Sequence, residues 1–282
     1  MDKPAGPTSH DVVARARRAL GMRRIGHAGT LDPPASGLLV LLIGRATRLM
    51  QFVSLLDKRY IGTVRFGWET TTDDATGQPT ARDDVGGRPS AATIRSALET
   101  VRAQPLQDPP PISAKKIEGE RAYRRARRGE AVALQPAAIA IHRLTARDIA
   151  APDDELPIEV ECSSGTYVRA IARDIGRAAG TRAHLASLRR TGIGPWDVRD
   201  AVPFDTAFEA AAGTMIRPME EAVAHLPRVE LDDVSAQRFK FGQRLGAPPA
   251  LEGPAAVFAA AGLIGVAEAR EGLLKPTVGL AS

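Results

Sequence analysis

A single carboxylate, Asp32, stands where a glycine-rich segment meets a run of aliphatic residues. The stretch reads GHAGTLDPPASGLLV and covers residues 26–40. An aspartate here can act as a general base, a nucleophile or a metal ligand, or it can cap a turn before proline. The glycines allow close backbone approach, Thr30 adds a hydroxyl, and Pro33-Pro34 fixes the chain beyond the acid. These neighbours favour a chemical role for Asp32.

Two well-known motifs come close to this stretch without matching it. Phosphatases of the haloacid dehalogenase type use Asp-x-Asp-Gly-Thr, but His27 and Ala28 precede Gly29-Thr30 here, so the nucleophile is absent. Nucleotidyltransferases use a His-x-Gly-His turn, and Thr30 takes the place of its second histidine. Both mechanisms are therefore excluded.

The charge distribution indicates a polyanionic partner. The formal net charge is +5, and arginine is concentrated in four clusters, at residues 15–18, 22–24, 121–128 and 188–190. One such cluster can be a solvated helix face. Four of them favour a surface that follows phosphates, because the planar guanidinium matches phosphate oxygens.

Other features of the composition exclude several classes of protein. Cys162 is the only cysteine and there are five histidines, so we expect neither a disulfide framework nor a metal site. No apolar run has the length of a membrane span, and no signal peptide opens the chain. The sequence predicts a cytoplasmic protein that has no contact with a membrane.

Periodicity and turn residues predict alternating helices and strands. Residues 38–44 can be a strand or the start of a helix, which the apolar run alone cannot decide. Helices are predicted at residues 11–21, 46–56, 89–104 with a Ser90 cap, 121–130 and 166–180. Strands are predicted at residues 60–68, 139–149, 156–163 and 185–196.

The pattern changes after about Pro227. Short strand-like pieces follow at residues 228–231, 255–269 and 273–280, separated by glycine and proline. We therefore predict two domains, residues 1–226 and a small β-rich domain at residues 227–282. A domain of that size stabilises itself poorly, so it is expected to dock on the first.

The segment around Asp32 resembles a motif of the TruB family of tRNA pseudouridine synthases, G-H-x-G-T-L-D-P-x-A-x-G. Further blocks that resemble this family follow in the expected order, so the resemblance covers roughly residues 2 to 196. They are DKPAGPTSHDVV, DKRYIGTVRFG, PPISAKKIEGERAYRRARRGE, CSSGTYVRAIARDIG and AHLASLRRTGIGPW.

This resemblance implies a fold and a reaction. The fold is α/β of the α+β type, with a mixed, largely antiparallel sheet flanked by helices and a small C-terminal β-barrel of the PUA type. The reaction converts uridine 55 in the T loop of tRNA into pseudouridine. The base is flipped out, the N1–C1′ bond breaks, the uracil rotates, and a C5–C1′ bond forms. No cofactor or metal is expected.

The resemblance also implies three catalytic residues. Asp32 is the essential acid, which either attacks the sugar carbon or promotes glycal formation. Arg169 pairs with Asp32, and a guanidinium there would keep the carboxylate charged and oriented. Tyr60 stacks on the target base and takes the C5 proton.

Further residues are implied to contact the RNA. His27 would enter the loop and fill the gap left by the flipped base, offsetting part of the unstacking cost. Tyr167 and Leu188 would line the uracil pocket, with the Thr30 hydroxyl near the acid.

Phosphate contacts are expected from Lys3, Arg124 and Arg128, which would position the T arm without reading sequence. The protein is expected to act as a monomer without a protein partner. Two alternatives stay open: a synthase acting on another RNA, and a tRNA-folding chaperone that performs no chemistry.

The chain departs from the family pattern at a few positions. The hydrophobic residues that usually precede Asp2-Lys3-Pro4 and form a first strand are not found ahead of this block. Either the true start lies upstream or the strand is absent, and its absence would make an edge of the catalytic sheet less stable. Pro34 and Ser36 replace more usual residues, and Thr71 stands at a position that is usually acidic, whereas Asp74 is kept. None of these positions falls in the expected catalytic set.

Overall fold

The computed structural model describes residues 1–82, 88–110, 116–117, 120–121, 135–206 and 216–280. The chain forms two compact units, each built from separate stretches of sequence. The first unit consists of Met1–Thr8, Leu31–Leu38 and Leu55–Pro203. The second consists of Ser9–Thr30, Leu39–Ser54 and Phe204–Ser282. The predicted domain boundary at residues 226/227 stays a prediction.

Groups of strands are separated by single helices along the described chain. The α-helices are α1 (Ser9–Ala19), α2 (Met50–Ser54), α3 (Ala91–Arg102), α4 (Val168–Ala178) and α5 (Asp233–Lys240), and 3-10 turns cover Gly44–Leu49, Val198–Asp200 and Met219–Val223. The strands are β1 (Asp2–Lys3), β2 (Ile25–Ala28), β3 (Ser36–Leu38), β4 (Val40–Ile43), β5 (Lys58–Phe66), β6 (Trp68–Thr70), β7 (Pro79–Arg82), β8 (Leu106–Gln107), β9 (Lys116–Ile117), β10 (Glu120–Arg121), β11 (Ala137–Ala138), β12 (Ile141–Ala146), β13 (Glu155–Cys162), β14 (Ala183–Ile193), β15 (Trp196–Asp197), β16 (Arg228–Glu230), β17 (Leu245–Gly246), β18 (Gly253–Ala259), β19 (Gly262–Arg270) and β20 (Leu273–Gly279).

A mixed sheet forms the centre of the first unit. Its strand order is β1-β3-β14-β5-β13-β12, and β15 pairs with β14. The pair β3–β14 is parallel and the other pairs are antiparallel. The predicted mixed, largely antiparallel sheet is therefore confirmed.

Helices α3 and α4 supply apolar side chains to the core of the first unit. The Ser90 hydroxyl caps α3 by accepting a hydrogen bond from the Thr93 amide at 3.2 Å, as the sequence predicts. Ile94 of α3 and Ile171 of α4 are fully buried and join Val64 of the sheet in one cluster. No described helix has both the length and the apolar character needed to cross a bilayer.

Most of the predicted elements are present. Residues 38–44, which the sequence left open, form the end of β3 and all of β4. The predicted helix at residues 46–56 is a 3-10 turn followed by α2. The basic helix predicted at residues 121–130 lies outside the described residues, apart from Arg121 in β10.

The C-terminal part of the second unit contains a five-stranded sheet of order β16-β18-β19-β20-β17, which confirms the predicted β-rich tail. The helix α5 was not predicted there. Asp232 caps it by accepting a hydrogen bond from the Ser235 amide at 2.8 Å, and Phe239 is buried in the core of this sheet. A capping aspartate and one buried aromatic thus stabilise a short helix.

One row of residues crosses the central sheet and connects β3, which follows Asp32, to β5 through β14. The pairs along this row are Lys3–Gly37, Gly37–Arg190 and Arg190–Tyr60. Gly37 has φ +104°, and a Cβ there would lie 2.2 Å from the Arg190 carbonyl oxygen. The close approach of β3 and β14 therefore requires glycine at this position.

We expect Gly37→Ala to destabilise the protein more than Gly6→Ala. Gly6 also has a positive φ, +113°, but a Cβ there would meet nothing within 4 Å. Backbone strain alone should cost about 1–2 kcal/mol at either position, and the clash should add about 2–3 kcal/mol at Gly37. Urea unfolding of both variants measures the difference, and equal losses would contradict the packing argument.

Candidate active site

Asp32, Arg169 and Leu188 line one small pocket in the first unit. Strand β14 forms one side of it through residues 185–188, and Asp74 with Ala75 forms another. The pocket thus joins the Asp32 turn, the start of α4 and the segment after β6. Two of the three residues predicted to be catalytic meet here.

The Asp32 turn is held by backbone hydrogen bonds. The Ala35 amide donates to the Asp32 carbonyl at 3.1 Å, and the Gly6 amide donates to the Pro33 carbonyl at 2.8 Å. The Asp32 side chain is 42% exposed. The turn is fixed while its carboxylate still reaches solvent, so an incoming group can contact it.

Arg169 lies in the first turn of α4 with its guanidinium buried behind Asp32. Its side chain is 8% exposed, and its Nε lies 3.0 Å from Asp32 Oδ2 and 3.8 Å from Asp74 Oδ2. Its Nη1 donates to the Thr72 carbonyl at 2.8 Å. The expected pairing of Arg169 with Asp32 is present, and a second carboxylate shares the same cation.

The sequence does not indicate a catalytic role for Asp74, but the structure brings this residue into the site. Its Oδ1 accepts hydrogen bonds from Thr72 Oγ1 at 2.6 Å, the Thr76 amide at 2.9 Å and Thr76 Oγ1 at 2.6 Å. The side chain is only 10% exposed. Flanking threonines around an aspartate are a local turn signal, but that signal does not reveal a distant arginine.

Tyr60 lies on β5 and is half-buried. Its ring packs against the core cluster together with Leu188. Burial raises the pKa of the Tyr60 phenol, the charge of Arg190 and its hydrogen bond lower it, and the charge of Asp32 raises it further. The Asp32 carboxylate is therefore close enough to influence the phenol electrostatically.

Tyr167 lies directly before α4 and is held by a residue that sequence reasoning missed. Its amide donates to Gln107 Oε1 at 2.8 Å, and Gln107 Nε2 donates to the Tyr167 carbonyl at 3.1 Å. Gln107 is 3% exposed. This reciprocal pair fixes the start of the helix that carries Arg169.

The structure corrects the predicted role of Lys3. The residue is fully buried, and its Nζ donates to the carbonyls of Pro4 at 2.8 Å, Pro7 at 2.9 Å and Pro33 at 3.4 Å. Burial lowers the pKa of this ammonium, although the Asp32 charge opposes the effect. Lys3 therefore braces the Asp32 turn and is not placed to bind a phosphate.

The sequence also predicts that the arginine cluster at residues 188–190 belongs to a phosphate-binding surface, and the structure does not support this role for Arg190. Arg190 is 1% exposed, and its Nε donates to the Leu38 carbonyl at 2.8 Å. Arg189 donates to Asp2 Oδ1 at 3.0 Å. Arg190 is therefore not available to phosphates, and Arg189, whose side chain is 36% exposed, is paired with Asp2.

Two other residues predicted to contact the RNA, His27 and Thr30, belong to the second unit. His27 is in β2 of the second unit, where its ring makes an edge contact with His10 at a centroid distance of 5.9 Å. Thr30 is exposed at the end of that stretch. Arg124 and Arg128 lie outside the described residues. Within the described ranges, no three His, Cys, Asp or Glu side chains are grouped to hold a metal ion.

The chain matches three family models that together cover most of its length. Residues 17–168 match the N-terminal domain of the TruB family of pseudouridylate synthases. Residues 169–224 match the C-terminal domain of tRNA pseudouridylate synthase B, and residues 227–280 match the C-terminal domain of pseudouridine synthase II TruB. The chain belongs to the TruB family of pseudouridine synthases, and the resemblance noted in the sequence is confirmed.

Curated relatives match over nearly the full chain. A tRNA pseudouridine synthase B from Thermobifida fusca (strain YX) is 43% identical, over 99% of this chain and 96% of its own length. One from Gloeobacter violaceus (strain ATCC 29082 / PCC 7421) is 44% identical, with the same coverage. These relatives are enzymes of the pseudouridine synthase class, so the predicted class of enzyme is confirmed.

Solved structures show the same fold. A chain in a crystal structure of a Cbf5-Nop10-Gar1 complex superposes with a TM-score of 0.73 and 26% identity, over all of this chain and 82% of that one. A chain from an H/ACA RNP bound to a substrate RNA gives a TM-score of 0.69. The predicted fold class, including the small C-terminal β domain, is confirmed.

We expect Lys3→Met to lower stability without changing the electrostatic part of RNA binding. The variant removes the donor that Lys3 supplies to the Pro4, Pro7 and Pro33 carbonyls, which should cost about 1–3 kcal/mol. The dependence of log Kd for tRNA on log salt concentration should keep its slope. A slope shallower by about 0.9, with unchanged urea unfolding, would restore the phosphate role.

Proposed function

We propose that this chain converts uridine 55 in the T loop of tRNA into pseudouridine, with Asp32 as the catalytic acid. The observation that carries the proposal is the 3.0 Å pair between Arg169 Nε and Asp32 Oδ2 in a pocket open to solvent. Membership of the family, and relatives named tRNA pseudouridine synthase B, support tRNA as the substrate.

Two routes begin at Asp32. In one, a carboxylate oxygen bonds to C1′ as the N1–C1′ bond breaks. In the other, the carboxylate promotes loss of a sugar proton and forms a glycal. Both routes release a uracil that rotates until C5 faces C1′. C5 then bonds to C1′ as the Asp32–C1′ bond breaks or, on the glycal route, as Asp32 returns its proton to the sugar. Tyr60 then takes the C5 proton, and N1 ends the reaction protonated.

Arg169 holds the carboxylate ready for either route. A carboxylate beside a fixed guanidinium stays charged and keeps one orientation, which is the form that can attack or accept a proton. Asp74 is a second counter-ion to the same guanidinium. When the Asp32 charge is consumed, the buried cation still has a partner.

The T arm supplies a uridine that must leave its stack before it can reach the pocket. We assign Leu188 and Tyr167 to the walls around the uracil, and His27 with Thr30 to the RNA loop from which it leaves. Arg124 and Arg128 are assigned to phosphates. Recognition then depends on loop shape and unstacked bases, and a monomer in the cytoplasm suffices.

The two rival functions are less well supported. The solved chains that share the fold, from a Cbf5-Nop10-Gar1 complex and from an H/ACA RNP bound to a substrate RNA, are 26% identical or less. The relatives named tRNA pseudouridine synthase B are 40–44% identical. A chaperone without chemistry would need neither a half-exposed carboxylate nor its buried guanidinium partner. The tRNA synthase therefore explains more of the site.

Asp32→Asn should lower pseudouridine formation by at least about 10³-fold, because the amide can neither attack nor accept a proton as the carboxylate does. Tritium release from tRNA carrying 5-tritiated uridine gives the rate, and position-resolved detection on an unmodified transcript gives the site. The tRNA affinity should stay within twofold.

The exposed Asp200→Asn serves as the matched control and should keep full activity. A fully active Asp32→Asn would refute the catalytic assignment. Wild-type pseudouridine at another position, or only in another RNA, would refute the substrate. Tight tRNA binding by a wild-type protein that releases no tritium would favour the chaperone.

A further inference from the structure

Helix α4 carries three arginines at four-residue spacing, so they lie along one face of the helix. The segment from Glu69 to Asp74 faces them with three acidic side chains. The closest distances are Arg169 Nε–Asp74 Oδ2 3.8 Å, Arg173 Nη1–Asp73 Oδ2 2.8 Å and Arg177 Nε–Glu69 Oε1 2.8 Å. We call these the inner, middle and outer pairs.

The middle pair is the most deeply buried of the three. Arg173 and Asp73 side chains are each 6% exposed, whereas Arg177 of the outer pair is 54% exposed. Arg173 also donates to Asp174 Oδ1 and to the Asp108 carbonyl, each at 2.9 Å. The guanidinium that holds Asp73 is itself fixed on several sides.

Asp73 adopts a backbone conformation that non-glycine residues rarely take. Its φ is +59°, which costs free energy unless other contacts impose it. Its carbonyl accepts a hydrogen bond from the Leu185 amide at 3.0 Å, and the Ala75 amide donates to the Leu185 carbonyl at 3.0 Å. The segment is thus attached to β14 on both sides of Asp74.

We propose that Asp73 and Arg173 are positioning residues, which hold the backbone at residue 73 so that the next side chain, Asp74, points at Arg169. This inference rests on the function proposed above and adds two residues that touch neither substrate nor reacting atoms. Burial raises the pKa of Asp73, with Arg173 opposing it, so the pair keeps a carboxylate where burial alone disfavours its charge.

The first test compares Asp73→Asn with Asp73→Gly. Both remove the carboxylate, and both residue types tolerate a positive φ. Single-turnover pseudouridine formation at saturating enzyme should fall at least tenfold in each variant, with the tRNA Kd within twofold of wild type. If Asp73→Gly keeps the wild-type rate, backbone conformation alone suffices and the inference is overturned.

The second test asks whether Asp73 acts through Asp74. In an Asp74→Asn background, adding Asp73→Asn should change the rate by less than twofold, because the side chain to be positioned has lost its charge. A tenfold loss in both backgrounds would mean that Asp73 supports the fold in general, and the proposal would be wrong. Glu69→Gln, which breaks the outer pair, is the control and should stay within twofold of wild type.

A readout without activity separates this inference from the proposed function. The NMR resonance of the Arg169 Nε–H group, assigned with Arg169→Lys, reports the carboxylates around it. Asp73→Asn should move this resonance in the direction that Asp74→Asn does, and Glu69→Gln should leave it in place. An unmoved resonance in Asp73→Asn would overturn the positioning role even if the wild-type protein forms no pseudouridine.

Discussion

The buried guanidinium of Arg169 is the constraint on which the site depends. A cation that is 8% exposed is costly unless opposite charges and hydrogen bonds replace its water, and removing a partner from such a pair costs about 3–5 kcal/mol. Asp32, Asp74 and the Thr72 carbonyl supply that replacement. Three stretches far apart in sequence must therefore meet at the first turn of α4, and the surrounding contacts serve to bring them there.

The other buried cations act as braces for the same arrangement. Lys3 donates to three backbone carbonyls around the Asp32 turn. Arg190 of β14 donates to the Leu38 carbonyl of β3. It also pairs with Tyr60 on the neighbouring strand β5. A basic composition is therefore a poor measure of RNA-binding surface in this chain. Part of the positive charge lies inside the first unit, where Lys3 and Arg190 donate hydrogen bonds to backbone carbonyls.

Sequence predicted what is local or shared with the family, and it failed where distant groups meet. The helix after Ser90 follows from a cap and an apolar period, and Asp32 with Arg169 follow from motifs that resemble the family. The place of Asp74 beside Arg169 depends on a loop attached to β14, and the role of Gln107 depends on a hydrogen bond across 60 residues. No local pattern encodes either contact. Helix α5 was not predicted because a capping aspartate and one buried aromatic residue are weak sequence signals in a segment rich in glycine and proline.

The two carboxylates at Arg169 differ in a way that suits a reaction which consumes one of them. Asp32 is 42% exposed and Asp74 only 10%, and Asp74 is held by two threonine hydroxyls and an amide. If Asp32 bonds to C1′ or accepts a proton, its charge is lost at the moment when the guanidinium most needs a counter-ion. Asp74 cannot leave, so the buried cation stays compensated on either route. In the proposed function, the more exposed Asp32 is therefore the acid that reacts, and the buried Asp74 holds the Arg169 guanidinium in place.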